Sequence, residues 1–151
     1  MDIEIGSPAH PDVRQLVDEH LADMFATSPP ESVHALVEDA LMAPGVTFWT
    51  ARRDGELVGC GALKELDPDH VELKSMRTTT AARGTGVGKA LLVCLVAEGR
   101  LRGYSRLSLE TGTQDYFAPA RGLYASQGFT RCGPFADYAE DPHSAYFTLV
   151  L

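Results

Sequence analysis

Three glycines at alternate positions, Gly84, Gly86 and Gly88, constrain this chain more than any other feature. They stand between an expected strand and an expected helix, where backbone free of side chains can come close to a ligand. The first N–H groups of a helix lack internal acceptors and, together with the helix dipole, form an anion site suited to phosphate. Arg83 places a permanent positive charge at the rim, and Lys89 adds a second. Spacing separates the phosphate loops that could fit. A nucleotide P-loop needs a glycine six residues before its lysine and Ser or Thr just after it, but those positions hold Arg83 and Ala90. A dinucleotide fingerprint needs its third glycine where Lys89 stands, after the first strand of a parallel unit. What remains is Arg-x-x-Gly-x-Gly, or a tight strand-to-helix turn with no ligand.

The flanking periodicities place that loop in the chain. Ile3 and Ile5 alternate with Asp2 and Glu4 as a short strand ended by Gly6-Ser7-Pro8. From Asp12 to Phe25, Val13, Leu16, Val17, Leu21, Met24 and Phe25 recur at helical intervals, until Ser28-Pro29-Pro30 stops the run. A second helical stretch carries Val33, Leu36, Val37, Ala40 and Leu41 to the break at Ala43-Pro44-Gly45. Two β-rich runs, Val46 to Arg52 and Leu57 to Leu66, flank Asp54-Gly55, a strong hairpin signal. After the turn Asp67-Pro68-Asp69-His70, a strand from Val71 to Thr79 leads into the glycines. A helix from Val87 to about Arg102 follows and is ended by Gly103. Ser105 to Glu110, Gly128 to Phe135 and Ala145 to Leu151 read as strands, with a short helix from Ala118 to Ser126. Early hairpins mixed with strand–helix alternation predict an α/β fold with one mixed sheet.

With this loop and, later, Leu123-Tyr124-Ala125-Ser126-Gln127-Gly128-Phe129, the chain resembles the GCN5-related N-acetyltransferase (GNAT) superfamily over nearly its whole length. The resemblance implies a mostly antiparallel central sheet of about seven strands with about four helices, splayed at strands 4 and 5. It implies acetyl-CoA as co-substrate, its pyrophosphate on Arg83, Gly84, Thr85, Gly86, Val87, Gly88 and Lys89. The pantetheine arm and thioester fall to the backbone of Met76, Arg77 and Thr78. The family often has an asparagine just before the tyrosine helix. This chain reads Asp115-Tyr116-Phe117-Ala118-Pro119-Ala120-Arg121 instead, leaving Gln114 or Arg121 as substitutes.

Composition narrows the partner. A chain of 151 residues, 44% hydrophobic and 23% charged, fits one domain over 1–151 that folds alone. A net charge of -8 disfavours nucleic acid, which needs a continuous positive face, and suits cationic substrates such as amines. There is no run of the roughly 18 or more apolar residues of a membrane helix and no signal-peptide pattern, which predicts a cytoplasmic protein. Cys60, Cys94 and Cys132 are widely spaced and odd in number, as reduced packed thiols are. The five histidines, His10, His20, His34, His70 and His143, show no paired metal spacing, so no metal is expected.

Acetyl transfer needs a neutral amine, a polarised thioester and a protonated leaving thiolate. The resemblance puts Tyr124 near the CoA sulfur as general acid. It puts Glu72, eleven residues before Arg83, where some members carry the base. Glu72 alternates with Val71 and Leu73, so it faces a cleft beside Lys74 or solvent in a pair with it. Glu110 and Thr111 at a strand end, and Ser28, Glu31 and His34 on the Pro-containing elbow, are candidates to line the acceptor pocket. The expected function is transfer of acetyl to a primary amine of a small molecule or peptide by direct attack; the alternative is a CoA-binding regulatory or interaction module without turnover. A homodimer through Ala145 to Leu151 is left open, against pairing of that strand within its own sheet.

Overall fold

The elements follow the hydrophobic pattern closely. In the computed structural model, which describes residues 1–33 and 38–151, they are β1 (Asp2–Ile5), α1 (Pro11–Thr27), α2 (Glu38–Leu41), β2 (Val46–Arg53), β3 (Glu56–Asp67) and β4 (His70–Thr78). Then come α3 (Val87–Leu101), β5 (Arg106–Gly112), α4 (Ala118–Ser126), β6 (Thr130–Cys132) and β7 (Ser144–Val150). All seven strands form one sheet in the order β1-β2-β3-β4-β5-β7-β6. Neighbours are antiparallel except β4 and β5.

The β2–β3 hairpin closes between Arg53 and Glu56, with Asp54 at φ 52° and Gly55 at φ 81°. Two left-handed residues in a row match the right-handed twist of the strands they join. Packing then divides the faces. Val71, Leu73, Leu107 and Leu109 face the helix side of one core with Leu91, Leu92 and Leu95 of α3. Each of those three leucines is fully buried, worth roughly 1.5–3 kcal/mol apiece. On the opposite face Val13, Leu16 and Val17 of α1 pack on Phe48, Cys60 and Ala62.

Some expectations shift. Phe25 is 54% exposed rather than part of the α1 stripe; the buried face runs through Val13, Leu16, Val17 and Met24. The expected strand from Gly128 to Phe135 shrinks to Thr130–Cys132, because Gly128 and Phe129 donate back to the end of α4 and Pro134 has no N–H for a ladder. β7 pairs with β5 on one side and β6 on the other, so it is interior to its own sheet. No helix among the described residues is long and apolar enough to cross a membrane.

One feature of the sheet makes the site. β4 and β5 pair only through His70↔Arg106, Val71↔Leu107 and Glu72↔Ser108. Beyond that point both strands continue, β4 to Thr78 and β5 to Gly112, and they part. The splay leaves backbone N–H and C=O groups without ladder partners along both rims of the gap.

Candidate active site

A bulge turns the residues of β4 at this gap. Between Ala62↔Lys74 and Cys60↔Arg77 the strand carries one residue more than its partner, with Ser75 in the left-handed region at φ 56°. The extra residue resets the alternation. Lys74 and Arg77, opposite Ala62 and Cys60, therefore lie on the same face, towards α1. The Cys60 thiol donates to the Ser75 carbonyl at 3.4 Å. Gly61 clears the space opposite, since a Cβ there would meet Met76 Sδ at 2.7 Å. Burial pushes the Cys60 thiol up to about 12, so it is no thiolate.

The Arg77 guanidinium donates to Asp23 Oδ2 of α1 at 2.5 Å and to the hydroxyl of Tyr116, from the turn before α4, at 2.8 Å. Arg77 holds the Asp23 carboxyl below its usual range. Arg83 stands 3.4 Å from the Tyr116 hydroxyl, so the glycine loop and α1 share one polar cluster.

The loop itself enters α3 through Gly84 at φ 75° and Gly86 at φ 90°. Both are conformations that L side chains rarely adopt. The first bond of the helix runs from Ala90 N–H to Gly86 O. Among the described residues, the amides of Gly86, Val87, Gly88 and Lys89 have no backbone acceptor in the loop. Thr85 differs: its amide and its hydroxyl both donate to Ala82 O, at 3.3 and 2.6 Å, so it braces the turn. Arg53, 3.4 Å from the Thr85 hydroxyl, brings another cation to the mouth.

A cavity of about 100 Å³ occupies the splay. Its walls include Glu72, Lys74 and Met76 of β4, Glu110 and Thr111 of β5, and Tyr124 of α4. Tyr124 is placed by the end of its helix. Phe129 N–H bonds to Tyr124 O, Gly128 N–H to Ala125 O, and Gly128 sits at φ 93°, the pattern of a Schellman stop. The Leu-Tyr-x-x-x-Gly-Phe spacing is thus a helix terminus whose Phe129 ring packs 5.8 Å from Tyr124. Burial, then the Glu110 carboxylate, pushes the Tyr124 phenol up, so it stays neutral.

Glu72 is in the cleft and paired with Lys74 at once. Its Oε2 accepts from Lys74 Nζ at 3.3 Å and from the Tyr138 hydroxyl at 2.5 Å, and it is 2% exposed. Tyr138, from the loop between β6 and β7, escaped the sequence reading. It has no periodic neighbours and lies in a Gly- and Pro-bearing segment. Glu110 has the Ser144 hydroxyl beside it in place of two converging donors. Burial, opposed by Lys74 and aided by Glu72, pushes its carboxyl up to about 7. His20 of α1 also borders the cavity; burial, then Arg77, push it down to about 4, so it is neutral.

Of the elbow candidates, Ser28 caps α1 through its amide to Met24 O, Glu31 is exposed, and neither borders the cavity. His34 lies outside the described residues. The neighbouring Ser32 is the buried one, its hydroxyl donating to Asp141 Oδ2 at 2.5 Å. Arg121 donates to Gly112 O at the end of β5, at 2.7 Å, and to Gln114 O in the connection to α4, at 2.9 Å. It is engaged in holding the start of α4.

A family model described as the Acetyltransferase (GNAT) family matches residues 13–129. The chain belongs to the GNAT acetyltransferase family. It is 52% identical over its full length, and over all of the relative's, to the uncharacterized N-acetyltransferase YsnE of Bacillus subtilis (strain 168). It is 40% identical to an IAA acetyltransferase of Azospirillum brasilense, with 93% of this chain and 91% of that one covered. A GNAT family acetyltransferase of Elizabethkingia anophelis, solved with acetyl-CoA bound, shares the fold at TM-score 0.72 and 18% identity, covering 99% and 97% of the two chains. This GNAT chain is therefore an N-acetyltransferase, and its family implies acyl transfer from an acyl-CoA.

Proposed function

We propose that this GNAT chain, a single domain over 1–151, moves acetyl from acetyl-CoA to the primary amine of a small molecule held in the splay. The observation that carries the reading is the meeting, in one cavity, of a neutral buried phenol and two carboxylates at the point where β4 and β5 part. Arg83 and the free amides at the start of α3 hold the diphosphate, with Lys89 beside them. The backbone of Met76, Arg77 and Thr78, freed by the splay, takes the pantetheine arm and thioester. The fit is supported by two buried polar atoms at this cavity, His20 Nδ1 and Ser75 Oγ, which lack partners among the described residues, since such atoms are normally satisfied.

One of the carboxylates Glu72 and Glu110 takes the amine proton as the new N–C bond forms. Tyr124 gives its proton to the sulfur as the C–S bond breaks and the electron pair leaves with it. A cavity of about 100 Å³ admits a small amine, with Thr111 on its wall. In this reading acetyl-CoA places the enzyme in the cytoplasm, and no metal takes part.

Thiol release from acetyl-CoA, followed against amino acids, polyamines, aminoglycosides and peptides, tests this. Turnover with at least one amine is expected, and Tyr124→Phe should lower kcat about 10²-fold or more. Acetyl-CoA binding without thiol release from any acceptor would favour a regulatory module. Unchanged turnover in Tyr124→Phe would remove Tyr124 from the chemistry.

A further inference from the structure

The two carboxylates of the cleft are held differently, and the cause is the segment between β6 and β7. That segment is pinned on three sides. The Tyr146 hydroxyl donates to Ala139 O at 2.7 Å, Asp141 accepts from Ser32 of the elbow, and the Tyr138 ring packs 5.0 Å from Phe135 and 5.5 Å from Tyr146. Its hydroxyl is thereby aimed at Glu72 Oε2, while Lys74 Nζ donates to both the Tyr138 oxygen, at 2.9 Å, and Glu72. Two donors converging on one oxygen is what an ionised carboxylate accepts. The same oxygen has little room left for an incoming amine.

Glu110 is the other carboxylate, on β5 beyond the last pair with β4. It faces Glu72 and Lys74 of β4, Tyr124 of α4, Tyr146 of β7, and Tyr138 and Asp141 of the pinned segment. His20 of α1 borders the same cavity.

Resting on the acetyl-transfer reading above, we propose that Glu110 is the general base, and that Glu72 is a positioning residue, clamped by Tyr138 and Lys74, that biases the protonation of Glu110. The clamp occupies Oε2 of Glu72 with two donors and holds its side chain in the wall it shares with Glu110, on which no such pair of donors converges among the described residues. Burial first, then the like charges of Glu72 and Asp141, against Lys74 and the Ser144 hydroxyl, push the Glu110 carboxyl up to about 7, which suits a base working at neutral pH.

The test reads protonation directly and needs no acceptor. Glutamate side chains of the whole chain are labelled with 13C and their carboxyl shifts followed by NMR from pH 4 to 9. One carboxyl is expected to titrate near neutrality and to vanish from the spectrum in Glu110→Gln. In Glu72→Gln, which keeps the shape and the acceptor of the clamp, that midpoint should move acidward by about one pH unit or more. Should Glu72→Gln fail to fold, Tyr138→Phe keeps the stacked ring and removes only the donor; the midpoint should move the same way by less. A neutral-range titration that survives in Glu110→Gln, or a midpoint unmoved or raised in the clamp variant, would overturn the assignment. Failure of thiol release would instead tell against the transfer reading and leave these shifts readable.

Discussion

At the scale of single residues, the site is a set of buried polar groups kept at different protonation states by their surroundings. Glu110 has a stability consequence of definite sign. Its carboxyl is raised from 4.5 to about 7, so the native state binds a proton that the unfolded chain has already released between those values. Stability contributed by protonated Glu110 is therefore full at low pH and lost as pH climbs from about 4.5 through 7. Glu110→Gln, which cannot ionise, should be nearly neutral at pH 5 and stabilising at pH 8, by up to about 3 kcal/mol. Urea unfolding at the two pH values checks this; an equal effect at both would mean the carboxylate carries no burial penalty. Asp12 has the opposite sign. Arg52, donating to both its oxygens at 2.7 and 3.1 Å, holds it down at about 2, so that its contribution is present above the ordinary aspartate range and fades only in strong acid.

At the scale of elements, turns and helix ends do the placing. Gly128, at φ 93°, lets α4 stop where Tyr124 faces the cavity and Phe129 packs behind it. Gly128→Ala should cost about 1–2 kcal/mol, because an L side chain is strained in that conformation. Thermal unfolding measures it, and an unchanged midpoint would show that the stop is not needed. Such devices were legible in the sequence because glycine marks them: Gly55 in the hairpin, Gly84 and Gly86 in the loop, Gly128 after the tyrosine. The bulge of β4 was not, because it rests on Ser75 at φ 56°, a residue that announces nothing. Simple alternation puts Lys74 and Arg77 on opposite faces of the strand, whereas the bulge gathers both towards α1. Tyr138 was hidden for a related reason. It acts from irregular chain with no periodicity, and only the aromatic stack with Phe135 and Tyr146 fixes its direction.

At the scale of the whole molecule, the sheet parts after Glu72↔Ser108, and the two helices flanking the gap supply opposite needs. α3 offers unpaired amides at its start, and α4 offers a phenol near its end. The order of elements and the hairpin followed from periodicity, but the contents of the cleft depend on residues far apart in sequence that only the assembled sheet brings together. Binding of the acyl donor at the glycine loop is the premise of all the chemistry. Isothermal titration calorimetry of acetyl-CoA into the native chain and into Gly86→Val tests it most directly. The native chain should bind one acetyl-CoA per chain, and Gly86→Val should lose that heat while keeping the far-ultraviolet circular dichroism of the folded sheet. No heat with the folded native chain, or equal affinity in Gly86→Val, would mean that the glycine loop does not hold the acyl donor.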